Sequence, residues 1–475
     1  MRARSRDQKA CALRAGLLHF AVLVSTVAPI AWPWDARAGG PLGNERTPIR
    51  TSRYTLDLFQ GPVLASSRVT GMGGAYSGLA EGAEGIPFNA AAASQRNAYS
   101  TTSTDYELNG SLTFPGSVSN TDFDNNGHVG FGYDNFVFAT VGGLLQHDNF
   151  GVGGNVSLQN YSLGTPRKFD LDAADVKALT VRIFKVDAVA SYGFFNGQLH
   201  LGGGIRGAVF TAVDTSSGER LLLGTYGVGA QGGVLWRPKA LPLRLGATVR
   251  SPVIGSIDAA PNVSRNIETG DRQVGRFYLP SGVDLPFEAE WGVAVQIGPR
   301  PLNLDWKDED EYRDPEVDEK RRMDPGSRHD PPRLEPRSAS AHRILRKRYR
   351  QLPREKLLLS FAMLVTGTTR GAVGVESMLS QVTERSGEKT TVTLRGGGEI
   401  EAVPNRLQLR AGTYMEPTRF RDSRARAHAT AGLEVRLIEW SLFGIFPEDN
   451  SFRIAGAVDV SREYFGWSLG VGSWY

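Results

Sequence analysis

From about Asn97 to the last residue, apolar and polar positions alternate with a period of two, the spacing of side chains on opposite faces of a β-strand. Leu407, Leu409, Ala411, Thr413 and Met415 share one face, against Arg406, Gln408, Arg410, Gly412 and Tyr414. Ala427, Ala429, Ala431, Leu433, Val435 and Leu437 oppose His428, Thr430, Gly432, Glu434 and Arg436. Phe452, Ile454, Gly456, Val458 and Val460 oppose Arg453, Ala455, Ala457 and Asp459. Earlier segments split in the same way: Leu199, Leu201, Ile205 and Val209 against His200, Gly202, Gly204 and Arg206, then Leu243 to Val249 against Arg244 and Arg250, then Phe287 to Val295 against Glu288 and Glu290. In the final segment Phe465, Trp467, Leu469, Val471 and the last residue, Tyr475, share a face, and Gly466, Ser468, Gly470, Gly472 and Trp474 occupy the other. A soluble sandwich would alternate too, but its polar face would point to bulk water. Here the polar face mixes glycine with charges of both signs, as a crowded lumen requires, and the apolar face suits hydrocarbon. Hydrocarbon cannot satisfy an open sheet edge, so the sheet must close. The expected fold class is all-β, a transmembrane antiparallel barrel.

Tracing strands back from Tyr475 gives 464–475, 451–461, 427–444, 404–415, 388–401, 370–382 and 354–366, then 301–308, 286–298, 241–252, 220–237, 197–213, 179–194, 150–162, 128–145 and 98–116. This makes about 16 strands, and the even count of bacterial barrels allows 14 or 16. Placing the last strand's end in the periplasm puts the short turns 403–405 and 447–450 inside and the loop 416–426 outside. The same parity places a proline-broken charged run, 309–352, on the extracellular side as a long solvated loop. Beside that plain reading, its charges suit contacts with lipopolysaccharide phosphates or divalent ions.

Composition then bounds the chain's destination. Only 40% of the 475 residues are hydrophobic, and the one apolar run of helical-membrane length lies near the start. Arg2, Arg4, Arg6, Lys9 and Arg14 precede it, and Ala36-Arg37-Ala38 follows as a small-x-small cleavage pattern. Residues 1–38 are therefore expected to be a signal peptide. The single cysteine, Cys11, would leave with it, so neither disulfides nor a cysteine metal site is expected. A net charge of +4 is too small to argue for nucleic acid.

Between the cleavage site and the first strand, 39–96 does not alternate. Its centre runs from Ser66 through Gly71-Met72-Gly73-Gly74-Ala75-Tyr76 to Ile86-Pro87-Phe88-Asn89-Ala90. Small residues this dense permit close backbone packing, which suits a plug inside the lumen. This stretch of about 35 residues resembles the N-terminal region of the FadL-type outer-membrane transporters of hydrophobic compounds, long-chain fatty acids among them. PorV-like barrels of secretion systems share the same opening. The resemblance implies fourteen strands, an N-terminal hatch, and an apolar ligand passing through the wall beside it. Carried over by position, Gly71, Gly73, Gly74 and Ala75 form the hatch motif and Asn89 its end; Ala90 stands where the family has proline.

Other patterns are weaker. Gly466-Trp467-Ser468-Leu469-Gly470 fits a nucleophile elbow but lies within an alternating strand. Gly227-Val228-Gly229-Ala230-Gln231-Gly232 fits a dinucleotide fingerprint with no helix after it. Asp122 to Gly127 looks like half a calcium loop, yet Tyr133 stands where the bidentate Glu belongs. No catalysis, cofactor or metal is expected. The inward charges Arg206, Arg244, Arg250, Arg395, Arg410, Arg436 and Arg453, with Glu288, Glu290, Glu399, Glu434 and Asp459, read as a salt-bridge network, or else as a polar conduit or an anchor for an anionic head group. Trp467, Leu469, Val471 and Tyr475 read as the C-terminal signal for the barrel-assembly machinery. The expected function is passive uptake of hydrophobic small molecules such as long-chain fatty acids, in contact with outer-membrane lipid and lipopolysaccharide. The alternative is a PorV-like secretion-accessory or protein-interaction barrel.

Overall fold

The computed structural model describes residues 42–96, 103–116, 121–129, 131–164, 176–216, 218–259, 263–303, 356–421, 423–439 and 451–473. The expected signal peptide, the charged run 309–352 and Tyr475 lie outside these.

Fourteen antiparallel strands close into a barrel. They are β1 (Thr104–Pro115), β2 (Gly132–His147), β3 (Phe150–Gly164), β4 (Ala178–Phe194), β5 (Leu199–Asp214), β6 (Arg220–Trp236), β7 (Leu243–Arg250), β8 (Glu288–Ile297), β9 (Leu357–Thr366), β10 (Thr391–Val403), β11 (Leu407–Glu416), β12 (Arg426–Glu439), β13 (Ser451–Ser461) and β14 (Tyr464–Ser473). Each pairs with the next, and β14 returns to β1 with Leu469 opposite Leu112. The outward face carries exposed apolar side chains such as Val141, Ile205, Leu394, Leu469 and Val471, while Thr140, Arg206, Arg395, Ser468 and Gly472 point inward and are buried or half-buried. A closed sheet with an apolar outside and a charged inside is the only β-arrangement that leaves no backbone group unpaired in lipid. The chain is thus a barrel of the bacterial outer membrane.

Two expected strands are not in the wall. Residues 370–382 form a two-residue strand, Ala372–Val373, and a short helix, α2 (Val375–Ser380), both buried. Apolar side chains here pack on both sides, so the segment belongs to a core and not to a lipid-facing wall. Residues 301–303 turn inward, with Leu302 and Asn303 buried; 304–308 lie outside the described residues.

Removing the strand between β9 and β10 reverses the direction of β9, and removing 301–308 restores the expected direction from β8 back, so only β9 and the connection before it change ends. Connections 116–131, 165–177, 215–219, 251–287, 367–390, 417–425 and 462–463 gather at one end. Connections 148–149, 195–198, 237–242, 298–356, 404–406 and 440–450 gather at the other, where β1 begins and β14 ends. Long loops mark the extracellular end and short turns the periplasmic one. The described flanks of the insertion containing 309–352 lie at this short-turn end, opposite to the extracellular side expected for it; 309–352 itself lies outside the described residues.

The outer end is capped. Thr55–Asp57 pairs in parallel with Gly282–Leu285 and with Ala372–Val373, and the sheet extends to Val253–Ser256 and Arg385–Ser386. Leu42, Ile49, Tyr54, Leu56 and Leu58 bury themselves here among Phe123, Phe136, Tyr161, Phe210, Phe277 and Leu379.

Candidate functional site

The N-terminal segment runs from this cap down through the lumen. Helix α1 (Ser67–Gly71) packs against β12 and β13. A side-chain carbon at Gly71 would lie 3.0 Å from Gly432 Cα. Gly73 has φ +62°, and its missing Cβ would stand 2.9 Å from Thr413 N and 3.0 Å from Gly396 O. Gly74, at φ +73°, is pressed against Val63, and Ala75 is fully buried. Asn89 caps the 3-10 turn Ala90–Ser94: its Oδ1 accepts from Ala91 N at 3.0 Å, and its Nδ2 donates to Ser77 O at 3.1 Å and to Val234 O of β6 at 3.0 Å. Proline favours its first helical position because φ is preset there; with Ala90 in that place, the Asn89 side chain fixes the turn.

The inward charges form groups at different depths. Toward the periplasmic end, Arg410 bonds Glu399 at 2.8 Å and Glu434 at 2.7 Å. Arg453 bonds Glu434 at 2.7 Å and also Glu84. Arg68 bridges Glu399 at 3.3 Å and Glu81 at 2.8 Å, and Arg244 holds Glu81 at 2.6 Å. Arg436 is inward and half-buried at the same end. Higher up, Arg206 and Arg250 share Glu288, while Arg250 and Arg395 share Glu290. Asp459 belongs to a third group near the outer end, with Tyr414 and His428. Sequence reasoning missed the segment's own partners, Arg68, Glu81 and Glu84. The signal available was a pair of acids, Glu81 and Glu84, inside an otherwise small-residue stretch.

Above the lower network is a cavity of about 180 Å³. Its apolar lining includes Phe59, Val63, Phe88, Phe138, Leu285 and Leu364, and its charged lining includes Lys185, Asp187, Arg206, Arg250, Glu288, Glu290 and Arg395. Among the described residues Lys185 makes neither a salt bridge nor a hydrogen bond, whereas Arg206, Arg250 and Arg395 are each bonded to a glutamate. An aromatic pocket lies further out, lined by Phe59, Gln60, Phe123, Tyr133, Tyr161 and Phe420. Phe59 and Gln60 border both spaces. Arg419 lies over the Phe59 ring at 4.9 Å and bonds Asp57 at 2.7 Å, while Gln60 Nε2 donates to Gln159 of β3. The dipeptide is a bar fixed at both sides between pocket and cavity.

The weaker motifs resolve as structure. Ser468 and Gly227–Gly232 are positions in β14 and β6. The Asp122 carboxylate accepts from Asn126 N and Gly127 N at 3.0 Å each, which is turn chemistry. Among the described residues, no group of three or more His, Cys, Asp or Glu side chains is placed to hold a metal ion. Leu469 and Val471 face outward, and Trp467 stacks on Phe114 of β1 at 4.3 Å, across the seam that closes the barrel.

No protein-family model matches the chain, and no curated protein does either. Among solved structures it is similar to a Pseudomonas aeruginosa FadL homologue, at 12% identity over 88% of this chain and 99% of that one, TM-score 0.48. It is also similar to the P. putida toluene transporter TodX, at 12% identity over 87% and 98%, TM-score 0.47, and to the monoaromatic hydrocarbon channel CymD, at 9% identity over 87% and 97%, TM-score 0.46. On its own geometry, the chain is a fourteen-stranded β-barrel of the bacterial outer membrane whose N-terminal segment packs against the lumenal wall.

Proposed function

We propose that this barrel passes hydrophobic small molecules inward by diffusion, and that its cavity accepts amphiphiles with a single anionic head group, such as long-chain fatty acids. The observation that carries this reading is Lys185. It is the cation of the cavity without a bonded carboxylate among the described residues, and Phe59, Phe138 and Leu364 line the same space. A charged amine against apolar walls suits a carboxylate with an alkyl tail. Ligand would enter the outer aromatic pocket, displace the Phe59–Gln60 bar and settle beside Lys185. Residues 39–96 act as a hatch, and movement further inward requires the Arg68–Glu81–Arg244 contacts to open. Binding of a fluorescent fatty acid to the reconstituted protein tests this. Lys185→Gln should weaken it by about tenfold to a hundredfold, the worth of one charge-assisted bond, and leave a neutral aromatic ligand's affinity unchanged. Equal loss for both ligands would remove the head-group assignment. No measurable binding of either would remove the transport reading.

A further inference from the structure

Near the outer end, His428 of β12 lies between two carboxylates. Its Nδ1 is 2.8 Å from Asp459 Oδ1 on β13, and its Nε2 is 2.6 Å from Glu416 Oε2 on β11. Its ring stacks on Tyr414 at 4.2 Å and lies 5.3 Å from the Tyr464 ring of β14. All four side chains within hydrogen-bond or stacking reach are buried. A neutral imidazole carries one N–H, so it can donate to one carboxylate only. The other contact would then set two lone-pair acceptors face to face. Both short contacts are satisfied when the ring holds a second proton, or when a carboxylate holds it. With that proton and with Arg426, which bonds Glu416 at 2.7 Å, the cluster has two positive and two negative groups.

The N-terminal segment rests on this cluster. Tyr414 donates to Asp459 Oδ2 at 2.6 Å and accepts from Val63 N at 3.2 Å. The Glu416 carboxylate fills the space that a side chain at residue 61 would need, so Gly61 lies flat against it. Pro62 and Val63, between these two contacts, form part of the cavity wall.

We infer that His428, Glu416 and Asp459 form a buried proton-binding site that latches residues 61–63 to the wall. The proton is taken up from solvent at low pH and returned to it at high pH, with no other bond made or broken. Its loss leaves one uncompensated negative charge and one repulsive contact. Glu416 or Asp459 must then shift, and each shift removes a support of the segment: Glu416 from Gly61, or Asp459 from the Tyr414 hydroxyl that holds Val63. The other titratable groups facing the site are Arg426 on the same strand, Tyr414 and Tyr464. Asp122, on the adjoining loop, offers Arg426 its backbone carbonyl, while its carboxylate is taken by Asn126 and Gly127 N–H groups.

Nitrogen NMR of the full-length protein in lipid nanodiscs, labelled at histidine, reads the site directly. The His428 signal is assigned by its loss in His428→Gln. Both ring nitrogens should carry protons at neutral pH, and the second proton should leave together with a rise in Val63 amide exchange of about tenfold. Glu416→Gln removes the need for the extra proton, because its amide can donate to a neutral ring. In that variant Val63 should remain protected at all pH values. A neutral His428 with no proton on either carboxylate at low pH overturns the inference, as does a ring that titrates while Val63 exchange stays constant. The readout involves no ligand, so it stands or falls separately from the transport reading.

Discussion

At the scale of single residues, the glycines of the N-terminal segment are fixed by what they touch. Gly73 combines a left-handed backbone with a wall too close for any side chain. Gly73→Ala should cost about 1–2 kcal/mol from handedness alone, with more from displacing Thr413. Gly110→Ala, whose added carbon would meet nothing nearer than 3.8 Å, should stay within about 0.5 kcal/mol of the parent. Guanidinium unfolding in detergent micelles checks the pair, and equal midpoints would show that the segment yields to its wall. The small-residue motif was legible because close approach selects residue size directly. The ion pairs were half legible. Alternation places Arg410, Glu399 and Glu434 inward, but periodicity describes one strand at a time and is blind to a partner reached from a loop. So Arg68, Glu81 and Glu84 escaped it. Lys185 escaped for a related reason: that it has no bonded carboxylate among the described residues is a property of its surroundings, which no spacing in the chain encodes.

At the scale of elements, the strands that face lipid on one side and lumen on the other were read with ends within a few residues, because two solvents force strict alternation. The cap was not. Strands of two to four residues, such as Ala372–Val373, buried at both positions, and Gly282–Leu285, are too short to show a period in the chain. Their acids show the consequence. Burial raises the Glu376 carboxyl to about 8, although Tyr133 and Asn126 donate to it at 2.7 Å each and pull the other way. Burial also raises Asp284 to about 6, with the neighbouring Asp57 adding to the effect. A carboxyl raised in the folded state binds its proton more tightly there than in the open chain. Its stabilising contribution is complete below the ordinary carboxylate range and fades as pH rises through the folded value. The cap should therefore loosen between about pH 5 and about pH 8. Proteolysis of the 367–390 connection should accelerate across that window. Glu376→Gln should flatten most of the dependence; an unchanged profile would place its origin elsewhere.

At the scale of the whole molecule, two segments wrongly assigned to the wall, 370–382 and 301–308, turned one strand and the connection before it end for end. Assigning 370–382 to the wall adds a strand, and parity then places the insertion holding 309–352 at the end opposite to its described flanks. Strand β8 ends at Ile297 and β9 begins at Leu357, at the end that holds the short turns 148–149 and 404–406. The near flank is also anchored there. Asn303 Nδ2 donates to the carbonyls of Pro238, Leu241 and Leu243, and Arg244 donates to Leu302 O as well as to Leu79 O and Glu81 of the N-terminal segment. The insertion is thus joined, through one arginine, to the part of the lumen that must move if anything passes. If the insertion stays at the end where its flanks lie, its charges do not meet lipopolysaccharide, which is confined to the outer leaflet. We propose that any partner of the insertion, in an interaction role of the PorV kind, is periplasmic. An epitope placed between residues 325 and 326 should stay unlabelled by antibody on intact cells and become labelled once the outer membrane is permeabilised. An epitope in the 417–425 connection should be labelled in both states. Labelling of the first on intact cells would reverse the barrel's orientation and move the aromatic pocket, the Phe59–Gln60 bar and the cap to the periplasmic face.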